Sequence, residues 1–132
     1  MKRSYYLILV LLLLLLASCT KAVPDTARGN GDYWDVNMKY SQDKIASSLF
    51  YHGGEKLVKV SYEIHYPSTI PIGEWGEFDV EEETHPLFSL GSTGTSLPPM
   101  DVLRRDLNQV TVDISWNTDK GKYKETIHIR TD

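Results

Sequence analysis

A chain of 132 residues with 18 acidic and 14 basic side chains carries a formal net charge of −4. An acidic balance of this kind disfavours nucleic acid and anionic membrane surfaces as partners. A single cysteine, Cys19, rules out a disulfide within one chain, a cysteine-ligated zinc and an iron–sulfur cluster.

The first stretch is read as an address. Met1-Lys2-Arg3 gives a positive start, and Leu7 to Leu16 is an uncharged apolar run of ten residues. That length suits a secretory leader and falls short of the ~20 residues a membrane-spanning helix requires. Ala17 and Ser18 are small, as cleavage requires, and Cys19 follows at once. The pattern Leu16-Ala17-Ser18-Cys19 resembles the lipobox of bacterial lipoproteins. That resemblance implies removal of residues 1–18 and attachment of a diacylglyceryl group to Cys19. Two acyl chains supply stable anchoring where one gives only marginal binding. The membrane is then the first partner, and the location is the extracytoplasmic face of a cell membrane. Residues 19–32 hold Pro24, Gly29 and Gly31 among polar side chains without apolar periodicity, and read as the lipidated cysteine followed by a flexible tether.

The folded domain is expected over 33–132. Trp34, Val36, Met38 and Tyr40 alternate with polar residues, the mark of a half-buried strand. Ile45 to His52 reads as a second strand. Gly53-Gly54 then signals a hairpin into a third strand, Leu57 to Tyr66. Within it Val58, Val60, Tyr62, Ile64 and Tyr66 share one face. Pro67 and Pro71 open a loop that carries Trp75 between Gly73 and Gly76. Phe78 and Val80 suggest a short strand before Glu81-Glu82-Glu83. From His85 to Met100 the chain is rich in Gly, Pro, Ser and Thr and reads as a long connection, with a short strand possible at Leu87 to Leu90. Asp101 to Leu107 forms a helical turn that Asp101 could cap. Two alternating segments, Val110 to Trp116 and Tyr123 to Ile129, close the chain as a hairpin.

Six to seven strands with turn residues between them indicate an all-β fold, a small antiparallel β-sandwich, with a closed barrel as the alternative. The segment Val110 to Asn117, followed by Lys124 to Ile127, resembles the last hairpin of small immunoglobulin-like or fibronectin-III-like lipoproteins of Gram-positive bacteria. Here the turn is longer, with Thr118 and Asp119 inserted before Lys120-Gly121. The resemblance implies a sandwich of unassigned function, and it carries over no catalytic residue.

No catalytic motif stands out. His52, His65, His85 and His128 show no zinc spacing, so no metal or cofactor is expected. The acidic run Asp79, Glu81, Glu82, Glu83 lacks the Ca²⁺-loop pattern and reads as a charged strand end that discourages edge pairing. Two aromatic residues in the connections, Trp75 and Phe88, are the candidate contacts: exposed, they form a recognition patch; buried, they plug one end of the sandwich. The leading expectation is a non-enzymatic envelope module that binds a protein or a cell-wall ligand, or serves as an accessory subunit. The alternatives are an inhibitor or immunity protein acting on a basic secreted toxin or hydrolase, and an envelope hydrolase without a recognisable motif.

Overall fold

The protein's structure, a computed structural model, describes residues 25–81, 86–94 and 96–132, with residues 5, 6, 8 and 10 near the N-terminus. The Leu16–Cys19 motif, Glu82, Glu83 and His85 lie outside the described residues.

Among the described residues nine strands form two antiparallel sheets. In chain order they are β1 Asp25–Asn30, β2 Trp34–Tyr40, β3 Ile45–Tyr51, β4 Leu57–His65, β5 Glu74–Asp79 and β6 Leu87–Thr93, followed by β7 Thr111–Thr118, β8 Lys122–His128 and β9 Arg130–Thr131. A short helix, α1 (Met100–Asp106), and a 3-10 turn (Leu107–Gln109) lie between β6 and β7. The first sheet has the order β6-β3-β2-β1-β9 and the second β5-β4-β7-β8. The all-β sandwich read from alternation is the fold.

The core follows from that alternation. Trp34, Val36, Met38 and Tyr40 are buried from the first sheet, and Val112, Ile114 and Trp116 from the second. The Trp34 and Trp116 rings meet edge-on across the interface, with centroids 5.8 Å apart. At one end Leu103 and Leu107 are fully buried. Asp106 ties that end together by accepting from the Thr69 hydroxyl at 2.5 Å and from Arg105 Nε at 2.7 Å. At the other end the Glu125 carboxylate accepts the backbone N–H groups of Asp32, Tyr33 and Trp34. It satisfies donors that the turn between β1 and β2 would otherwise leave unpaired.

Four local expectations need correction. Residues 25–30 are not tether: β1 pairs with β2 along its whole length and with β9 at Ala27 and Arg28. Its inward positions are Ala27 and Gly29, both buried. Small side chains are required there because β8 passes close by. A Cβ on Gly29 would lie 2.5 Å from Ile127 Cγ2 and 2.7 Å from the His128 carbonyl oxygen. Gly53-Gly54 does not close a hairpin, since β3 pairs with β2 and β6 while β4 pairs with β5 and β7. The two glycines carry the chain from one sheet to the other. Within β4 the register shifts between Leu57 and Lys59. One extra residue turns Leu57 inward and leaves Val58 48% exposed, although simple alternation puts Val58 in the core. Finally, α1 begins after Pro99 with no side-chain cap, and Asp101 sits in its first turn instead.

Candidate functional site

The outer face of the β5-β4-β7-β8 sheet is built from the polar half of each alternating strand. Register sets which side chains meet. One row across the sheet is Trp75, Glu63, Asp113 and Thr126, and the next is Glu77, Ser61, Ser115 and Lys124. The two serines lie side by side in the middle of the sheet. Their short side chains leave a groove of about 410 Å³ between Trp75 and Glu77 on one side and Lys124 on the other.

Trp75 dominates this face. It is 79% exposed, more than any other large hydrophobic side chain among the described residues. It stands on the edge strand β5 rather than in a loop. Strand geometry explains why Gly76 beside it misleads. Gly76 points inward, where a Cβ would come within 2.7 Å of the Tyr62 hydroxyl, so this glycine makes room for a half-buried tyrosine packed on the core and does not mark a turn. Phe88 behaves oppositely. It lies on β6, half-buried and packed against the core. Its ring sits 4.9 Å from Phe78 and 6.0 Å from Trp34. Trp75 and Phe88 therefore do not form one patch: Phe88 helps fill the sandwich, and Trp75 faces solvent.

The charges on this face are largely engaged with one another. Lys59 Nζ lies 2.6 Å from Glu77 Oε1. His65 Nε2 lies 3.0 Å from Asp113 Oδ2, and its Nδ1 lies 3.9 Å from Glu63 Oε1. Glu63 and Asp113 are directly opposed across β4 and β7, a like-charge pairing that costs stability, and His65 is the group between them. The Thr126 hydroxyl donates to Asp113 Oδ1 at 2.5 Å. That bond above all, with His65 and Lys124, holds the Asp113 carboxyl below the ordinary carboxylate range, against a partial burial that works the other way. Asp113 is thus a fixed, ionised acceptor.

A second polar cluster, missed in the sequence, lies inside the sandwich near β5. Tyr66 donates to Glu74 at 3.3 Å. Burial raises the Glu74 carboxyl above its ordinary range, with the Tyr66 hydrogen bond opposing. Burial, followed by the Glu74 charge, pushes the Tyr66 phenol far above its own. The hydroxyls of Ser47 and Thr93 lie near that phenol and offset part of the rise, though neither makes a well-aligned hydrogen bond. Ser47 reaches the interior because it shares the inward face of β3 with Ile45, Leu49 and Tyr51. Alternation puts position 47 on that face, but a serine among apolar neighbours gives no sign of the phenol and carboxyl it meets there.

Other candidates fall on ordinary surface. His52, His65 and His128 are exposed, and His52 sits 3.4 Å from Asp35. Among the described residues no group of three or more His, Cys, Asp or Glu side chains is arranged to hold a metal ion. No helix of the described residues is long and apolar enough to cross a membrane. Comparison with known protein families, with curated proteins and with solved structures finds no match.

Proposed function

We propose that this chain is a non-enzymatic cell-envelope lipoprotein, anchored through a diacylglyceryl group on Cys19, whose sandwich presents the β5-β4-β7-β8 face to a ligand or partner outside the membrane. The observation that carries the binding role is Trp75. A large aromatic side chain left 79% exposed on a strand, beside a groove, has no part in the core and is the kind of anchor that recognition surfaces use. The role of the anchor rests on the order of charge, apolar run, small residues and cysteine at the N-terminus. A carboxyl held ionised by donors, as Asp113 is, suits hydrogen-bond acceptance better than proton donation, which needs a raised pKa.

β1 tightens the picture of the anchor. With the sandwich starting at Asp25, only six steps of chain separate it from Cys19. They reach at most roughly 20 Å when fully extended. The domain then works within about its own diameter of the lipid surface.

Two substitutions in the full chain, expressed in its host, test the reading. Cys19→Ala should abolish incorporation of a labelled lipid precursor and release the protein from the membrane fraction. Trp75→Ala should leave anchoring and thermal stability unchanged while removing association with the envelope partner. A lipid label retained by Cys19→Ala would refute the anchor, and co-purification of the partner untouched by Trp75→Ala would refute the face.

A further inference from the structure

Building on the binding-face reading above, we propose that the groove beside Trp75 is a saccharide site, shaped for a neutral or N-acetylated pyranose segment. A pyranose ring presents C–H bonds on its face and hydroxyls around its rim. The groove offers the matching set. Trp75 supplies a flat apolar surface open to solvent. Glu63 lies directly across from it, and Asp113 one strand further. Ser61 and Ser115 form a floor of small side chains next to that row. The Ser61 hydroxyl makes one long bond, 3.4 Å to the Ser115 carbonyl, and gives it up at little cost. The groove volume of about 410 Å³ falls in the range of small-molecule sites.

Charge separates this ligand class from others. Lys59 pairs with Glu77, and the His65 ring lies against Asp113 and Glu63, so the carboxylates of the face already have partners. A polyanion would meet the carboxylates of Glu63, Glu77 and Asp113. A polycation would have to displace Lys59 from Glu77 and would meet Lys124 across the groove. A neutral polyol needs neither, and it uses the paired carboxylates as oriented acceptors. A protein partner is disfavoured by composition. Protein interfaces centre on a cluster of apolar side chains, whereas the groove beside Trp75 is lined mainly by charged residues and serines, with Tyr62 the one other aromatic.

The experiment uses the full chain in detergent and exploits its three tryptophans. Trp34 and Trp116 are 0% and 3% exposed, so iodide quenching of fluorescence reports on Trp75. The probes are the β-1,4-linked tetramer of N-acetylglucosamine, cellotetraose and isolated peptidoglycan sacculi. The proposal predicts saturable protection of Trp75 by at least one probe. Protection by a free tetramer alone indicates a soluble oligosaccharide, and protection by sacculi indicates a wall glycan. Trp75→Ala, judged by sedimentation or calorimetry, should weaken that binding at least about tenfold, the loss expected for a central aromatic anchor, with the melting temperature unchanged. Trp75→Phe should retain part of it. Binding that survives Trp75→Ala would overturn the proposed site. If no probe protects Trp75 and a photoreactive phenylalanine derivative at position 75 captures an envelope protein instead, the saccharide assignment falls and the binding face stands. If position 75 captures nothing and no probe protects it, both fall.

Discussion

Gly29 gives a quantitative test of the fold. In the sequence it belongs to a polar, glycine-containing stretch that reads as a linker, where an alanine would be harmless. In the structure it is an inward position of β1 pressed against the β8–β9 corner. Its φ is not in the left-handed region, so alanine is allowed by the backbone and the cost is steric. The added Cβ would lie 2.5 Å from Ile127 Cγ2, 2.7 Å from the His128 carbonyl oxygen and 2.9 Å from Ile129 Cδ1. One of these neighbours is backbone and cannot rotate away. Overpacking of this kind costs about 1–3 kcal/mol, offset in part by the ~0.4–1 kcal/mol that alanine gains by restricting the unfolded chain. A net loss of ~1–2 kcal/mol corresponds to roughly 5–15 °C in melting temperature for a domain of this size. Thermal or urea unfolding of Gly29→Ala against wild type measures it. Gly54→Ala is the control, because nothing lies within 4 Å of its Cβ, and it should match wild type or exceed it slightly. Equal stability of Gly29→Ala and wild type would show that residues 25–30 are not part of the sheet.

Two further outcomes are expected. Burial raises the Glu74 carboxyl above its ordinary value of 4.5. Its protonated form therefore favours the folded state, and that contribution, complete below the ordinary value, is lost as pH rises through the raised one. Glu74→Gln cannot ionise, so it should be more stable than wild type at neutral pH, with the difference closing below pH 4.5. Urea titrations across the pH range would show this, and a constant difference would refute it. At the β4 bulge, Leu57→Ala should cost ~2–5 kcal/mol as a core truncation. Val58→Thr should change stability by less than ~0.5 kcal/mol as a surface substitution, and the reverse order would refute the register.

Much of the fold was legible because alternation reports burial directly. Trp34 to Tyr40 and Val110 to Trp116 faced inward as their spacing implied. The errors share a cause: alternation counts side chains and says nothing of pairing. It cannot register the extra residue at Val58, so it assigned the wrong one of two adjacent apolar residues to the core. It also missed β1, whose inward side chains are an alanine and an absent one. Gly53-Gly54 reads as a hairpin turn because glycine tolerates positive φ, but neither takes it, and the strands on either side belong to different sheets. The groove was less legible than the fold. Trp75 could be singled out as an unusual aromatic, yet its neighbours Glu63, Ser61, Asp113 and Ser115 come from two strands separated by some 50 residues in sequence. Only the register of β4 against β5 and β7 brings them together.

The central claim is that one sheet face, the one carrying Trp75, makes contact with the envelope. The most direct measurement is site-specific photo-cross-linking of the full chain in intact cells. One probe, a photoreactive phenylalanine derivative that keeps an aromatic ring at the position, replaces Trp75. Another replaces Asn37, exposed on β2 of the opposite sheet. The account predicts a discrete adduct from position 75, a glycan by mass if the groove holds a saccharide, and none from position 37. Adducts from position 37 alone, or the same adducts from both positions, would contradict it.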